Sequence, residues 1–448
     1  FLMTASLFDS ALFAPLFDTG AAGRLFSDTA EIRAMMLVEG ALARVQAAHG
    51  VIPETSAAAI SRAAMEIQID PGALAGATAT NGVSVPAFVA AFRAEMGAPE
   101  HAQYLHWGAT SQDIMDTGLM LRLRQLLVLI EQNLGQTIRR LAQLAENHAA
   151  LPMPARTYGQ VATPTSFGAV VAGWGLPLVN LLQELPELRR QCLLVSLSGA
   201  AGTASQLGAD AALLRVELAK ALDLNDPGRS WHVDRTPLLR IADWLNRIAL
   251  ALGKMGEDGV ALAQSGISEI RFEGAGGSST MPQKQNPVGA SVLIALAHHS
   301  NGLCSSLRAG ALPQHQRDGA SWFTEWLCLP QIGLCAAAAT ERATKLSAEI
   351  TPVPSVMLGN IDNGLGLIYA EALSFALSVQ LPRPEAQATL KKLCREAEET
   401  QTPLAALAQR DFPDLDMASV FDPKQQMGTA VTDAHAFVEA ARALSEAT

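Results

Sequence analysis

The sequence is poor in aromatic residues, which make up 5% of its 448 residues, whereas apolar residues make up 49%. With so few rings available, the core must be aliphatic, and alanine and leucine dominate the apolar set. Tyrosine, threonine and β-branched runs, which favour strands, are also sparse. Because alanine and leucine have high helix propensity, the composition predicts an all-α protein.

Basic residues and cysteines are scarce as well. The 32 Lys and Arg residues are outnumbered by 43 Asp and Glu residues, which gives a net charge of −11. Such a chain lacks the basic footprint of a nucleic-acid-binding protein, and an anionic substrate would need a local cluster of Arg and Lys. Five cysteines without a metal-binding spacing predict reduced, buried thiols in a cytoplasmic protein.

Long apolar runs and a leader peptide are also missing. No apolar stretch reaches the ~18–20 residues of a membrane span. The first residues, Phe1-Leu2-Met3-Thr4, lack a basic region followed by a hydrophobic stretch and a cleavage site, so no signal peptide is predicted. The mean hydropathy is nevertheless slightly positive, which predicts apolar surface buried between subunits.

Apolar side chains recur at three- and four-residue steps along five long segments, which predicts five long amphipathic helices. These segments cover residues 116–151, 170–195, 237–264, 288–311 and 322–348. A helix of ~30 residues is about 45 Å long, so the five helices predict a long central bundle. One such bundle does not bury all its apolar faces, and we expect oligomerisation through it.

Shorter helices are predicted on both sides of the bundle, at residues 29–50, 55–68 and 85–96 before it and at 367–380, 384–400, 403–409 and 431–447 after it. Residues 71–86, rich in Gly, Ala, Thr and Pro, are predicted to be loop, and residues 351–365 break the helical pattern. The predicted domains are an N-terminal helical domain at 1–110, a central bundle at 111–350 and a C-terminal helical domain at 351–448.

Residues 274–287, which we call the signature loop, read Gly-Ala-Gly-Gly-Ser-Ser-Thr-Met-Pro-Gln-Lys-Gln-Asn-Pro. Glycine permits unusual dihedral angles, so backbone amides in this loop can converge on one point. Lys284 adds a positive charge and Asn286 adds two donors. These groups can hold a carboxylate and stabilise an enolate, whereas a plain interhelical linker has no use for them.

Residues 277–287 resemble the signature GSSxMPxKxNP of the fumarase/aspartase superfamily. The resemblance implies an all-α fold of three helical domains with a long central bundle and no metal or organic cofactor. It also implies that Ser278 is the proton-transfer group, and that Lys284 and Asn286 bind a substrate carboxylate. Lys284 is an alternative proton donor if burial makes its ammonium more acidic. A serine hydroxyl suits that role only where amides and a cation stabilise its alkoxide in a water-excluded site.

Two further regions are similar to the superfamily. Residues 106–113 (His-Trp-Gly-Ala-Thr-Ser-Gln-Asp) resemble its first signature region, and Thr110 and Ser111 precede a predicted helix, where an anion is favoured. Read alone, they are a helix cap. In the second region, at residues 156–165, Thr157 and Gln160 match, and the resemblance implies that they contact substrate. Tyr158 stands where most of these lyases have a histidine of the proton-transfer machinery, which argues against their activities.

Within the superfamily, the carboxymuconate cycloisomerases resemble the chain most closely, because they share the first region and lack the second-region histidine. The implied reaction is lactonisation of 3-carboxy-cis,cis-muconate, a tricarboxylate with about three negative charges near neutral pH. Arg235 and Arg317 are the predicted partners of the other carboxylates, since arginine binds carboxylates bidentately. Possible additional donors are His106, His232 and His315.

The resemblance also implies a homotetramer in which three subunits supply the three signature regions of each site. Two alternatives stay open: another lyase of the superfamily, acting on adenylosuccinate or argininosuccinate, and a non-catalytic homologue such as a lens crystallin. Tyr158 argues against the first alternative. The intact Ser278, Lys284 and Asn286 argue against the second.

Overall fold

The computed structural model describes residues 6–446 except residues 275, 278, 279, 282 and 363, and in this part of the chain the secondary structure is mostly helical. The α-helices are α1 (Asp28–Ala48), α2 (Glu54–Glu66), α3 (Pro71–Asn81), α4 (Val85–Met96), α5 (Pro99–Ala102), α6 (Ser111–Asn147), α7 (Phe167–Cys192), α8 (Ala211–Leu222), α9 (Thr236–Ala263), α10 (Val288–Gly310), α11 (Gly319–Glu349), α12 (Pro354–Ile361), α13 (Ala370–Leu377), α14 (Arg383–Thr400), α15 (Leu404–Asp411), α16 (Met417–Val420) and α17 (Ala430–Glu446). The strands are β1 (Pro152–Thr157), β2 (Gln160–Ser166), β3 (Ile270–Phe272) and β4 (Ile350–Pro352). The all-α prediction is confirmed.

The five longest helices, α6, α7, α9, α10 and α11, fall on the five segments predicted from the apolar pattern. In α6 four leucines of the predicted stripe are fully buried, namely Leu123, Leu126, Leu134 and Leu141. Side chains three or four residues apart share one helix face, so the stripe determines which face packs inward. Within the described residues, no helix has both the length and the apolar character that a membrane span requires.

The predicted loop at residues 71–86 is wrong, because α3 occupies most of it. The Asp70 carboxylate accepts a hydrogen bond from the Gly72 N–H at 3.0 Å and so caps the helix. Pro71 takes the first helical position, where a missing N–H costs nothing. Gly82 ends the helix in the left-handed conformation, with φ of 71°. The Pro and Gly that predicted a loop are the start and stop signals of a helix.

The four strands form two small antiparallel pairs. β1 pairs with β2, with Pro152 opposite Ser166 and Thr157 opposite Gln160. β3 pairs with β4 and leads directly into the signature loop. The predicted break at residues 351–365 therefore contains the end of β4 and the short helix α12. These strands were not predicted, but they carry the second signature region and one end of the signature loop.

Contacts divide the chain into two compact units, each made of three stretches. The first unit comprises residues 1–133, 181–250 and 295–342, and the second comprises residues 134–180, 251–294 and 343–448. Each of the five long helices contributes one part to each unit. The three domains expected along the chain, at 1–110, 111–350 and 351–448, stay a prediction.

Candidate active site

The first signature region lies in the first unit, at the N-terminus of α6. Thr110 immediately precedes the helix, and its N–H donates to Asp113 Oδ2 at 3.1 Å, as in one half of a capping box. Arg317 Nη2 approaches the Thr110 hydroxyl oxygen at 3.3 Å. The first amides of a helix have no intrahelical partner, so the hydroxyls of Thr110 and Ser111, these amides and Arg317 favour an anion. We call Thr110, Ser111 and Arg317 the Thr110 cluster.

Asp113 is fully buried and connects this helix end to the chain around it. Its carboxylate accepts five hydrogen bonds, from Ser196 Oγ, Ser198 N, Gly199 N and His232 Nε2 at 2.9 Å each and from Thr110 N at 3.1 Å. Burial by itself would raise the pKa of Asp113, but the bonds and charge of His232 and the N–H groups of Gly199 and Thr110 outweigh burial and lower it. The carboxylate is therefore ionised at neutral pH.

The sequence prediction missed Asp113 and the stretch at residues 196–203, although both carry a signal. Asp113 stands three residues after Thr110, which is the spacing of a capping box. Residues 196–203 read Ser-Leu-Ser-Gly-Ala-Ala-Gly-Thr, and Gly199 and Gly202 adopt φ of 70° and 76°. Backbone of this kind turns sharply and directs its amides toward one acceptor, here the Asp113 carboxylate.

Arg317, predicted to bind a carboxylate, lies on the exposed loop before α11. Its Nε donates to Gln112 Oε1 at 2.9 Å, and its Nη2 donates to the Ala200 carbonyl at 3.1 Å. These bonds hold one edge of the guanidinium against the end of α6, and no described residue accepts a hydrogen bond from Nη1. The structure thus brings Arg317 and Thr110 together, and their binding of substrate stays a prediction.

Arg235, the other predicted carboxylate partner, is buried and already paired. Its Nη1 and Nη2 donate to the two oxygens of Asp116 at 2.8 and 2.9 Å, and its Nε and Nη2 donate to Glu325 at 2.9 and 2.8 Å. Its guanidinium also stacks over Trp231. The protein's own carboxylates occupy the places that the sequence prediction gave to substrate. As a correction, we therefore assign Arg235 to structure and not to substrate binding.

Because Arg235 pairs with both Asp116 and Glu325, its single positive charge does not fully offset the two buried negative charges. Burial raises the pKa of Glu325, and although Arg235 opposes this effect, the neighbouring Asp116 adds to it, so the pKa stays above its usual range. Asp116 and Glu325 also border a cavity of about 530 Å³. That cavity is lined by four carboxylates and one arginine, namely Asp28, Glu31, Asp116, Glu325 and Arg122. The excess of negative charge in this lining would repel a tricarboxylate, so the cavity is a poor site for that substrate.

The three histidines suggested as extra donors have different surroundings. His106 adopts φ of 64°, and its Nδ1 lies 2.6 Å from the buried Glu39. Burial lowers the pKa of His106, but the charge and hydrogen bond of Glu39 outweigh burial and raise it. His106 thus anchors the turn before Thr110. His315 is exposed on the Arg317 loop, whereas His232 is buried against Asp113.

The signature loop lies in the second unit, between β3 and α10. Two backbone hydrogen bonds join Gly276 and Asn286, at 3.1 and 2.8 Å, and we call these two residues the loop neck. A Cβ at position 276 would lie 2.8 Å from the Val288 side chain, so a larger residue there would force Val288 to shift. Lys284 is exposed and Asn286 is half-buried. Ser278, the predicted proton-transfer group, lies outside the described residues.

The second signature region forms the turn of the β1–β2 hairpin, also in the second unit. Residues 157–160, which we call the hairpin tip, are exposed, and Tyr158 is fully exposed with φ of 52°. Below the tip, Arg156 donates two hydrogen bonds to the buried Glu269, at 2.9 and 2.7 Å. The base of the hairpin is thus fixed, and Thr157 and Gln160 are presented to the outside.

The sequence also matches a known family of enzymes. The model of the lyase family matches residues 21–301, which is more than half of the chain. The chain belongs to the lyase family. This lyase-family chain is 40% identical over 411 residues to 3-carboxy-cis,cis-muconate cycloisomerase of Pseudomonas putida, with 90% of this chain and 96% of that protein covered.

One more relative and one solved structure are similar to the chain over most of its length. Nitrosuccinate lyase of Streptomyces davaonensis is 34% identical over 445 residues, with 95% of this chain and 94% of that protein covered. Among solved structures, 3-carboxy-cis,cis-muconate lactonizing enzyme from Pseudomonas putida matches with a TM-score of 0.92 and 37% identity, covering 97% of this chain and 100% of that one. The superfamily predicted from the signature loop is confirmed.

Proposed function

We propose that this lyase-family chain is a 3-carboxy-cis,cis-muconate cycloisomerase, which lactonises its substrate to 4-carboxymuconolactone in the protocatechuate branch of aromatic degradation. The observation that carries the proposal is the Thr110 cluster, an anion site built on α6 and Arg317. It occurs in a chain that also holds Lys284 and Asn286 in the signature loop. Relatives of that name, alignable over 90% of the chain, add support.

The proposed reaction is an isomerisation, so its atoms balance without water or another reactant. One substrate carboxylate oxygen forms a bond to a carbon of the conjugated diene, and the π electrons move onto the carboxylate of the neighbouring carbon. That carbon then takes a proton, which completes the γ-lactone. Lys284 and Asn286 stabilise the enolate, and Ser278 transfers the proton, because the base of the reverse elimination is the acid of lactonisation.

The Thr110 cluster holds a second substrate carboxylate in this proposal. A tricarboxylate carries about three negative charges, so Lys284 alone does not balance it. Arg317 adds a guanidinium, and the first-turn amides of α6 add the positive end of a long helix. Both favour an anion locally, although the whole chain carries a net charge of −11.

We further propose that the chain acts as a homotetramer with sites shared between subunits. The exposed hairpin tip supports this proposal, because Thr157 and Gln160 would then contact substrate in a site that they share with other subunits. Exposed apolar side chains on the long helices, at Val128, Leu250 and Leu327, also favour an oligomer. Sedimentation of the purified protein tests the tetramer. Mixing inactive Ser278→Ala and Arg317→Ala subunits tests the sharing, since shared sites recover part of the activity.

The decisive experiment adds purified protein to 3-carboxy-cis,cis-muconate and follows the diene absorbance. We expect the absorbance to fall and the lactone to form with the wild-type chain, and not with the Ser278→Ala variant as matched control. Folded wild-type protein that leaves the absorbance unchanged would contradict the proposal.

A second candidate is a lyase that releases fumarate, and the 34% identity to nitrosuccinate lyase favours it. Tyr158, in the place of the usual lyase histidine, speaks against it. Incubation with nitrosuccinate, adenylosuccinate or argininosuccinate separates the candidates. Fumarate from one of them, without lactone from carboxymuconate, would replace the first proposal by the second.

A further inference from the structure

His232 is the origin of two hydrogen-bonded connections that reach the Thr110 cluster. Through its side chain, Nε2 contacts Asp113 at 2.9 Å, and Asp113 in turn accepts the Thr110 N–H at 3.1 Å. Through its backbone, the His232 carbonyl accepts Gln112 Nε2 at 2.9 Å, and Gln112 Oε1 accepts Arg317 Nε at 2.9 Å. His232 is therefore connected to two members of the cluster, Thr110 through its side chain and Arg317 through its backbone.

The side-chain connection is buried and charged. The side chain of His232 is 2% exposed and that of Asp113 is not exposed. An ionised carboxylate only accepts hydrogen bonds, so His232 Nε2 carries the hydrogen. Three other donors to Asp113 are backbone N–H groups, which no side-chain substitution removes. Loss of the imidazole would leave a buried carboxylate with an unfilled position, so the surrounding backbone would shift.

The other ring nitrogen of His232 faces a different environment. Nδ1 is buried and has no hydrogen-bond partner among the described residues. His232 also lines a cavity of about 20 Å³ together with Gln112 and Arg317. The two ring nitrogens therefore differ, since Nε2 contacts Asp113 whereas Nδ1 has no partner among the described residues.

We propose that His232 is a positioning residue of the Thr110 cluster, which acts through Asp113 by its Nε2–H and does not touch substrate. The inference rests on the proposed function to the extent that the Thr110 cluster binds a carboxylate. It assigns His232 to carboxylate affinity and leaves proton transfer to the signature loop.

Two substitutions separate the two ring nitrogens. In His232→Gln the side-chain amide ends near the position of Nε2 and still donates to Asp113, whereas in His232→Asn it ends near Nδ1 and does not reach. We expect His232→Asn to raise KM about tenfold or more, the effect of a lost hydrogen bond to a charged group, with kcat nearly unchanged. His232→Gln keeps both constants near wild type, as does the control His299→Gln on the exposed face of α10.

The outcomes decide the inference in each case. It is overturned if both variants raise KM equally, because Nδ1 is then the functional atom. It is also overturned if His232→Asn lowers only the unfolding temperature and leaves KM unchanged, because the role is then structural.

If wild-type protein does not turn over carboxymuconate, the proposed function fails, but the inference on His232 is still testable. Calorimetric affinities of wild type and the two variants for the unreactive tricarboxylate tricarballylate should then follow the same order. If wild type binds no tricarballylate either, both proposals are overturned.

Discussion

The Thr110 cluster and the signature loop hold their polar groups in different ways. Around the first, the buried Asp113 accepts five hydrogen bonds from three separate stretches of chain. In the second, the Lys284 ammonium is exposed, and two backbone bonds join the loop neck. Buried contacts therefore organise the first region when the protein folds, whereas no such burial fixes the Lys284 ammonium.

This difference predicts how the two regions respond to substitution. Loss of a buried group that organises the Thr110 cluster, such as Asp113 or His232, should affect both the unfolding free energy and KM, whereas a change at the exposed Arg317 should affect mainly KM. Exposed groups contribute little to folding, so changes in the signature loop should affect the rate and leave stability unchanged.

The largest expected effect is on the loop side. Ser278→Ala should lower kcat about 10²–10⁴-fold, the usual contribution of a general acid or base, with an unchanged unfolding temperature. Steady-state kinetics on carboxymuconate and a thermal melt measure both. Ser279→Ala is the matched control, and an equal loss of kcat in that variant would remove the assignment to Ser278.

A large effect on stability is expected at the buried ion pairs. Arg235→Met leaves Asp116 and Glu325 without their guanidinium, which should lower the free energy of unfolding by about 3–5 kcal/mol, while KM of the folded protein stays the same. Denaturant titration measures this change. Arg240→Met, at an exposed position in the first turns of α9, should have little effect. A raised KM with full stability would restore the substrate-binding role first predicted for Arg235.

A moderate effect on affinity is expected at Arg317. Arg317→Lys keeps the charge but loses the paired N–H groups that contact Gln112 and Thr110, so KM should rise about tenfold with little change in stability. Gln316→Ala, on the same exposed loop, should leave KM unchanged. If KM is the same in the lysine variant, Arg317 does not orient a carboxylate.

The smallest effect concerns pH. The folded-state pKa of His106 is raised above 6.5, so its pairing with Glu39 stabilises the protein fully below pH 6.5 and less as the pH rises through the folded-state pKa. The stability difference between wild type and His106→Gln should therefore be larger on the acid side of this window than on the alkaline side. Denaturant titrations across the window test this. A difference independent of pH would mean that His106 does not titrate in the pair.

Local patterns explain what the sequence predicts well. The five long helices follow from apolar steps within each segment, and the signature loop follows from a run of neighbouring residues. The error at residues 71–86 is also local, because Pro71 and Gly82 were interpreted as loop residues. Asp70, immediately before Pro71, is the N-cap that marks the start of a helix there.

Long-range pairing explains what the sequence does not predict. Arg235 and Arg317 look alike in the sequence, since each stands in a segment rich in His, Arg and Trp. Their surroundings differ because Asp116 and Glu325, 119 and 90 residues away from Arg235, converge on one guanidinium and not on the other. No local signal contains that information, whereas the capping-box spacing of Thr110 and Asp113 was available and was overlooked.

The loop neck has a consequence for which molecules the protein accepts. Asn286 belongs to the neck, so its backbone is held on both sides and its short amide reaches few positions. Lys284, two residues away, carries its charge on a long, rotatable stem. In the proposed role, Asn286 would select ligands by the direction in which a carboxylate points, whereas Lys284 would accept that charge from many directions. Compounds of equal charge but different shape should therefore bind with different affinities because of Asn286.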